Sequence, residues 1–292
     1  MTRLLRCRIL LLSSFVFLTC GALPSAAYFC TLTEDGGPSL GWDERDIGMV
    51  LGQKNGGEVR FTDLENATAH ALAQWQQAGC SDVQLSITGS SDDLRTGFDW
   101  RAGADSPENR NVIVFRNDDE NDPVDAWLYD NGAIAITTVT YSRFSGRILD
   151  ADIELNDRAF VFTECDNGEP GCLISTDLKN TLTHEVGHLL GLDHPSRDQA
   201  DYSATTMYGS AAEGDVQKRD LAQDDIDGIC FLYPAGAANQ SCYADPSPEP
   251  AIVITGGCAH ALPSHVQRLP NVSFLCCALF FLASTLRRRK DA

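Results

Sequence analysis

Apolar and polar positions along the chain alternate between two periods, and the switches between them outline the elements. From residue 62 to 79 the spacing is helical: Leu64, Thr68, Ala71, Leu72, Trp75 and Ala78 fall on one stripe. Thr62-Asp63-Leu64-Glu65 has the form of a capping box at its start, and Gly79 marks its stop. His70 lies off the stripe and is expected at the surface, not as a ligand. Strand-like runs follow at Val83–Thr88, Val112–Phe115, Ala133–Tyr141 and Arg147–Asn156, the last two separated by a turn over Ser142–Gly146. A second helix is expected from about Thr176 to Leu190, burying Leu182, Val186, Leu189 and Leu190. A third should run from about Ala222 to Tyr233 with Ile226, Ile229, Cys230 and Tyr233 inward, and Pro234 stops it.

These elements bound one domain over 28–234. Residues 1–27 have the form of an export signal: Arg3, Arg6 and Arg8, then the apolar run Ile9–Leu18, then small residues Ser25-Ala26-Ala27 ahead of Tyr28. Residues 235–271, rich in Pro, Gly and Ala, are read as a linker. The end, 272–292, joins a short apolar run from Val272 to Leu286 to Arg287-Arg288-Arg289-Lys290. Fifteen apolar-run residues are marginal for a membrane span, which needs about 17–25. This end resembles the C-terminal sorting tails of some bacterial surface proteins, with Gly257-Cys258 ahead of it; a plain membrane anchor is the alternative. The expected location is therefore secreted, with tethering to a membrane or cell surface through the tail.

Charge narrows the partners. The chain has 22 Lys+Arg against 41 Asp+Glu, a net of −19, and seven of the basic residues sit at the two ends. So acidic a body excludes nucleic acid as a partner, because phosphate binding needs a basic surface. At 43% apolar residues the chain can build a core. Eleven cysteines in an exported chain point to disulfides. Cys165 and Cys172 close a short local loop, Cys230 and Cys242 flank the end of the third helix, and Cys30 with Cys80 would complete the set, although six cysteines allow 15 pairings.

One stretch carries chemistry: His184-Glu185-Val186-Gly187-His188-Leu189-Leu190-Gly191-Leu192-Asp193-His194. His184 and His188 are four apart and share a helix face. Gly191 lets the chain leave the helix through a backbone conformation that a Cβ disfavours, so His194 can return as a third ligand. Three imidazoles suit one catalytic Zn²⁺, whose fourth position is left for water. Glu185, beside the first ligand, is placed to act as general base.

The stretch is similar to the long zinc motif of the metzincin peptidases, H-E-x-x-H-x-x-G-x-x-H followed by a Met-turn. Ala204-Thr205-Thr206-Met207-Tyr208-Gly209 is the Met-turn candidate, with Met207 as a soft apolar floor. Within that group the chain most resembles the matrixins, through Gly191-Leu192-Asp193-His194 and through Leu221–Tyr233, over roughly residues 40–234 and most sharply from 181 onward. Pro195 after the third His separates it from astacins and adamalysins, and the glycine-rich calcium repeats of serralysins are missing.

The resemblance implies an α+β, metzincin-like (zincin) domain. A twisted mixed sheet packs on two long helices, and a small C-terminal subdomain ending in a helix leaves an active-site cleft between. It implies a monomeric endopeptidase acting on extracellular proteins whose chain lies extended along the edge strand Ala133–Tyr141. Specificity would come from the pocket beside Met207–Gly214. It also implies calcium, for which Asp150, Asp152, Glu154, Asn156 and Asp157 offer oxygen ligands, as does the loop with Asp118, Asp119, Glu120, Asp122 and Asp125. Outside the motif only His70, His260 and His265 remain, so a second, structural zinc is not expected. The Pro-Arg-Cys-Gly latency motif and a hemopexin-like domain are missing too. Cys30 is weighed as a zinc-blocking thiol and expected in a disulfide instead. The alternative function is a catalytically inactive surface binding protein that keeps a structural zinc.

Overall fold

The computed structural model describes residues 28–33, 37–54, 56–102, 106, 108–117, 123–165, 170–195 and 202–240, together with the backbone alone of 252–256 and 259–260. The proposed signal (1–27) and tail (272–292), Cys242, and Asp118, Asp119, Glu120 and Asp122 lie outside the described residues.

In chain order the elements are β1 (Phe29–Cys30), β2 (Asp46–Gly52), α1 (Phe61–Gln76), β3 (Gln84–Ser91), β4 (Asn111–Arg116), β5 (Ala135–Tyr141), β6 (Ile148–Asn156), β7 (Phe162–Thr163), β8 (Thr176–Asp177), α2 (Leu178–Leu189), β9 (Leu192–Asp193), β10 (Ser210–Ala211), α3 (Gln223–Leu232), β11 (Ile252–Gly256) and β12 (Ala259–His260). The main sheet runs β11-β5-β6-β4-β2-β3. Its β3, β2, β4 and β6 are parallel, while β5 is antiparallel to β6 and β11 to β5. This is the mixed α+β arrangement expected of a metzincin-like domain, with α1 and α2 packed together behind the sheet.

Burial follows the periods in the sequence. Leu64, Thr68, Ala71, Leu72, Trp75 and Ala78 are all buried, as are Leu182, Val186, Leu189 and Leu190 of α2. They join Ile113, Phe115, Ile153 and Leu155 from the sheet in one core. The first helix starts two residues earlier than its expected capping box. Its N-cap is Arg60, and Asp63 accepts the Arg60 N–H at 3.0 Å, so Asp63 closes the first turn in place of Glu65. The strand β2 has no counterpart in the sequence reading. Gly48 and Gly52 dilute its apolar run, although Ile47, Met49 and Leu51 are buried between two parallel neighbours.

Two expectations need correction. Cys80 bonds to Cys230, with Cα atoms 5.3 Å apart, so the pairings Cys30–Cys80 and Cys230–Cys242 are not formed. The chain after α3 returns to the end of α1, where Ala235 N–H donates to the Cys80 carbonyl at 2.9 Å, and this brings those two sulfurs together. Cys30 lies in β1, which pairs with β9, while Cys165 and Cys172 are buried free thiols. The latter two touch: their mutual hydrogen bond and burial push the Cys172 thiol up to about 11. The second correction concerns residues 235–271. Far from being linker throughout, they contribute β11 to the main sheet and β12, which pairs with β10.

Candidate metal centre and active site

The site is built on α2, a helix with almost no exposed face. Its apolar residues are in the core, and Asn180, Thr181, Thr183, His184, Glu185 and His188 are buried too. A buried polar group needs a partner, so each of these positions is held by something specific. The helix begins at Asp177, whose side chain accepts the Asn180 N–H at 2.7 Å and also binds Arg219 Nε at 2.8 Å. It ends where Gly191 turns with φ +93°; a Cβ there would lie 2.4 Å from the Leu40 carbonyl oxygen. Trp42 Nε1 donates to Leu189 O at 2.9 Å, and the Tyr233 hydroxyl donates to Leu190 O at 2.8 Å, so the helix end is fixed from two sides.

Beyond that turn the chain brings His194 back to the helix. The Nε2 atoms of His184, His188 and His194 lie 3.0 to 3.2 Å from one another. Two of the rings are oriented by main-chain oxygens. His184 Nδ1–H donates to Thr206 O at 2.6 Å, and His188 Nδ1–H donates to Leu192 O at 2.9 Å. With Nδ1 protonated, Nε2 is a bare lone pair, and these two lone pairs face each other and the third ring. Acceptors have no hydrogen to share. A tetrahedral zinc with bonds of about 2.0–2.1 Å would set its nitrogen ligands roughly 3.3–3.4 Å apart. The donor set and its spacing therefore fit zinc. Among the described residues this is the one cluster of three or more His, Cys, Asp or Glu arranged to hold a metal. Burial, aided by the nearby Lys218 charge and the other two imidazoles, holds His184 well below the usual histidine range, which keeps it neutral and able to ligate.

Met207 packs on α2 between its two histidines. A Cβ on Gly187 of α2 would come within 2.2 Å of Met207 Sδ and 2.8 Å of Trp75 Cζ2, so α2, the Met207 turn and α1 touch where that glycine has no side chain. A Cβ on Gly209 would meet His194 Nδ1 at 2.9 Å, so the far end of the turn packs on the third ring. The turn itself is pinned from α3. Asp225 accepts from Thr206 N–H at 2.8 Å and Met207 N–H at 3.2 Å, and it caps its own helix through Ala222 N–H at 2.9 Å. Burial raises the Asp225 carboxyl above its usual range, against the pull of these donors.

Glu185 is fully buried, and its carboxylate is held by the sheet: the Thr137 hydroxyl donates to Oε2 at 2.7 Å. Thr137 belongs to β5, the strand proposed to receive substrate. Sequence reasoning named neither Thr137 nor Asp225. The Asp224-Asp225 pair carried the only hint, since two acids in a helix's first turn suit its N-terminus whether or not one turns inward.

The five residues put forward for calcium do not converge on one point. Glu154 binds Arg116 Nε at 2.5 Å and the Tyr129 hydroxyl at 2.7 Å. Asn156 Nδ2 donates to Ala133 O at 2.8 Å, and Asp157 packs at Gly57. Asp150 and Asp152 do lie side by side. Asp152 takes the N–H groups of Gly97 and Val112, while Asp150 Oδ2 is buried without a hydrogen-bond partner. Burial pushes Asp150 up to about 6 and Asp152 well above the usual carboxylate range, the latter helped by Asp150. Asp125 pairs with Lys54 at 2.5 Å. His70 is half-buried against Arg219 O, away from the three ligands. No helix among the described residues is long and apolar enough to cross a membrane.

Comparison with known proteins agrees with this geometry. The chain is 25% identical over 223 residues to metalloendoproteinase 2-MMP of Arabidopsis thaliana, covering 76% of this chain and 50% of that protein. It is 49% identical over 57 residues to metalloendoproteinase 1 of Glycine max, 20% of this chain and 17% of that one. It is 38% identical over 72 residues to human matrilysin, a quarter of each. The chain thus spans half the length of the first relative and smaller shares of the others. The Matrixin family matches residues 42–234, a stretch that holds all three imidazoles, Glu185, Met207 and Asp225. With more than half of its length matched and the histidine trio assembled within that match, the chain belongs to the matrixin family.

Proposed function

We propose that this protein is a zinc-dependent endopeptidase that cuts internal peptide bonds of extracellular proteins. The observation that carries this is the trio of Nε2 atoms 3.0 to 3.2 Å apart, with the next residue on the helix a buried carboxylate. His184, His188 and His194 would hold the metal. When bound there, zinc supplies Lewis-acid polarisation of the scissile carbonyl and makes water acidic enough to attack near neutral pH. Glu185 takes the proton from the attacking water and delivers it to the leaving amine. Thr137 holds that carboxylate in one orientation through Oε2. A purely structural zinc would have no use for a carboxylate so placed, which argues against the binding-protein alternative.

The substrate would add to the edge of β5 as an extended strand, bound through its main chain, with side-chain selection in the pocket beside Met207–Gly214. Residues 1–27 support export and residues 272–292 support surface tethering, both on sequence alone. Calcium would be held at Asp150 and Asp152, where two buried carboxyls stand together. Zinc content, together with cleavage of casein with and without a chelator, tests the central claim. One zinc per chain and chelator-sensitive cleavage are expected; a zinc-loaded protein that cuts nothing would refute it.

A further inference from the structure

The edge of β5 is already covered, and what covers it is the chain itself. β11 pairs antiparallel with β5 over five residues: Ile252 with Tyr141, Val253 with Thr140, Ile254 with Val139, Thr255 with Thr138 and Gly256 with Thr137. Without β11, β5 would be the outermost strand, with a row of open main-chain groups. Three residues after Gly256, β12 pairs in parallel with β10, Ala259 with Ser210 and His260 with Ala211.

Both of these registers adjoin the metal centre. Gly256 stands opposite Thr137, whose hydroxyl holds the Glu185 carboxylate. Ala259 stands opposite Ser210, which follows Gly209, the residue packed on the His194 ring. Three residues of extended chain reach at most about 10–11 Å, so Gly256 and Ala259 sit close across the cleft. β11 therefore pairs with the strand whose Thr137 holds the base, and β12 with the strand that follows the turn packed on the third ligand. Ile252-Val253-Ile254-Thr255 is β-branched and uncharged, a composition suited to an added strand.

We propose that β11 and β12, residues 252–256 and 259–260, are an autoinhibitory strap, an intramolecular occupant of the peptide-binding cleft that holds the full chain latent. The proposal rests on the endopeptidase reading for what the strap blocks. Main-chain pairing along an edge reads little sequence, so a strand seated there excludes any other extended peptide. Because it is tethered by the short stretch after α3, its effective concentration is in the millimolar range, and an ordinary peptide competes poorly. Release needs only that the strap leave β5, through displacement or through a cut in the stretch that tethers it.

The test uses the full, zinc-loaded chain with prolines at two adjacent positions, Val253→Pro and Ile254→Pro. In an antiparallel pair adjacent residues direct their N–H groups to opposite sides, so one proline removes a donor facing β5. The variant should show kcat/KM for an extended fluorogenic peptide raised about 10- to 100-fold, carried in KM with kcat unchanged. Hydrogen exchange at the amides of 137–141 should quicken in step. A synthetic peptide of residues 250–262 should inhibit the variant competitively and slow that exchange again. Equal kcat/KM and equal exchange in parent and variant would overturn the proposal. So would mass spectrometry showing that the parent cuts itself between Gly256 and Ala259, since the segment would then be a substrate and not an inhibitor. If neither form cleaves any peptide, exchange at β5 still reports the strap: protection lost in the variant and restored by the synthetic peptide upholds the occupancy while the endopeptidase reading fails.

Discussion

The Thr137 hydroxyl donates to Glu185 Oε2 at 2.7 Å, joining β5 of the sheet to the residue beside the first imidazole. The same hydroxyl lies 3.2 Å from the Glu185 main-chain oxygen, so strand and helix meet at one side chain. Thr137→Val keeps the shape and removes the donor. We expect kcat to fall about 10-fold or more, as for loss of a hydrogen bond to a charged group, with KM and zinc content unchanged. Steady-state kinetics beside metal analysis reads both; an unaltered kcat would show that the carboxylate finds its position without Thr137.

Glu185→Ala should retain about one zinc per chain and lose a factor of roughly 10²–10⁴ in kcat, the usual contribution of a general base. Cleavage at the parental rate by the zinc-loaded variant would remove Glu185 from the mechanism.

Asp225 touches no ligand, yet it holds the Thr206 and Met207 N–H groups, and Thr206 in turn orients His184. Asp225→Ala should weaken zinc binding by about 10- to 100-fold, the range found when outer partners of metal ligands are removed. Competition with a chromophoric chelator measures it. Parental affinity would mean that packing of Met207 under α2 positions the turn unaided.

The Asp150 carboxyl, raised from 3.8 to about 6 by burial, gives stability a pH dependence of known sign. A raised pKa means the fold favours the protonated form. The relative gain is complete below about pH 4 and is lost as pH rises through about 6. Without calcium, Asp150→Asn should therefore stabilise the protein by about 2–3 kcal/mol above pH 6 and hardly at all at pH 4. With calcium the order should reverse: the parent's melting temperature rises and the variant's does not. A parent indifferent to calcium ends the proposal for that cation.

Replacing Cys80 and Cys230 together by Ser should cost about 2–5 kcal/mol, since their bond closes a loop of 150 residues. Denaturant unfolding reads the loss, and an unchanged midpoint would show that the contacts around Tyr233 suffice.

Local spacing made much of this legible in the sequence. An i, i+4 histidine pair, a glycine exit and a third histidine sit within eleven residues, so one helix face and one local turn bring them together. The apolar stripe of α1 was equally readable, because Leu64, Ala71 and Trp75 need only the helical period. What escaped was non-local. Cys80 meets Cys230 across 150 residues, and nothing near either cysteine names its partner. Ile252–Gly256 is too short to stand out from a Pro-rich stretch, and its strand partner lies more than a hundred residues earlier. Asp225 resembles Asp224 and Asp227 in composition; only the fold turns it toward the Met207 turn.

The gap at Gly187 has a wider consequence. With Met207 Sδ and Trp75 Cζ2 both crowded against that one backbone position, the first helix presses on α2, which carries two of the imidazoles, and on Met207 at once. Close-packed interiors transmit displacement and do not absorb it. Mutational drift on the buried side of the first helix, at residues that never approach a substrate, will therefore be felt by the imidazoles, and the sequence freedom of that distant helix is narrower than its position suggests.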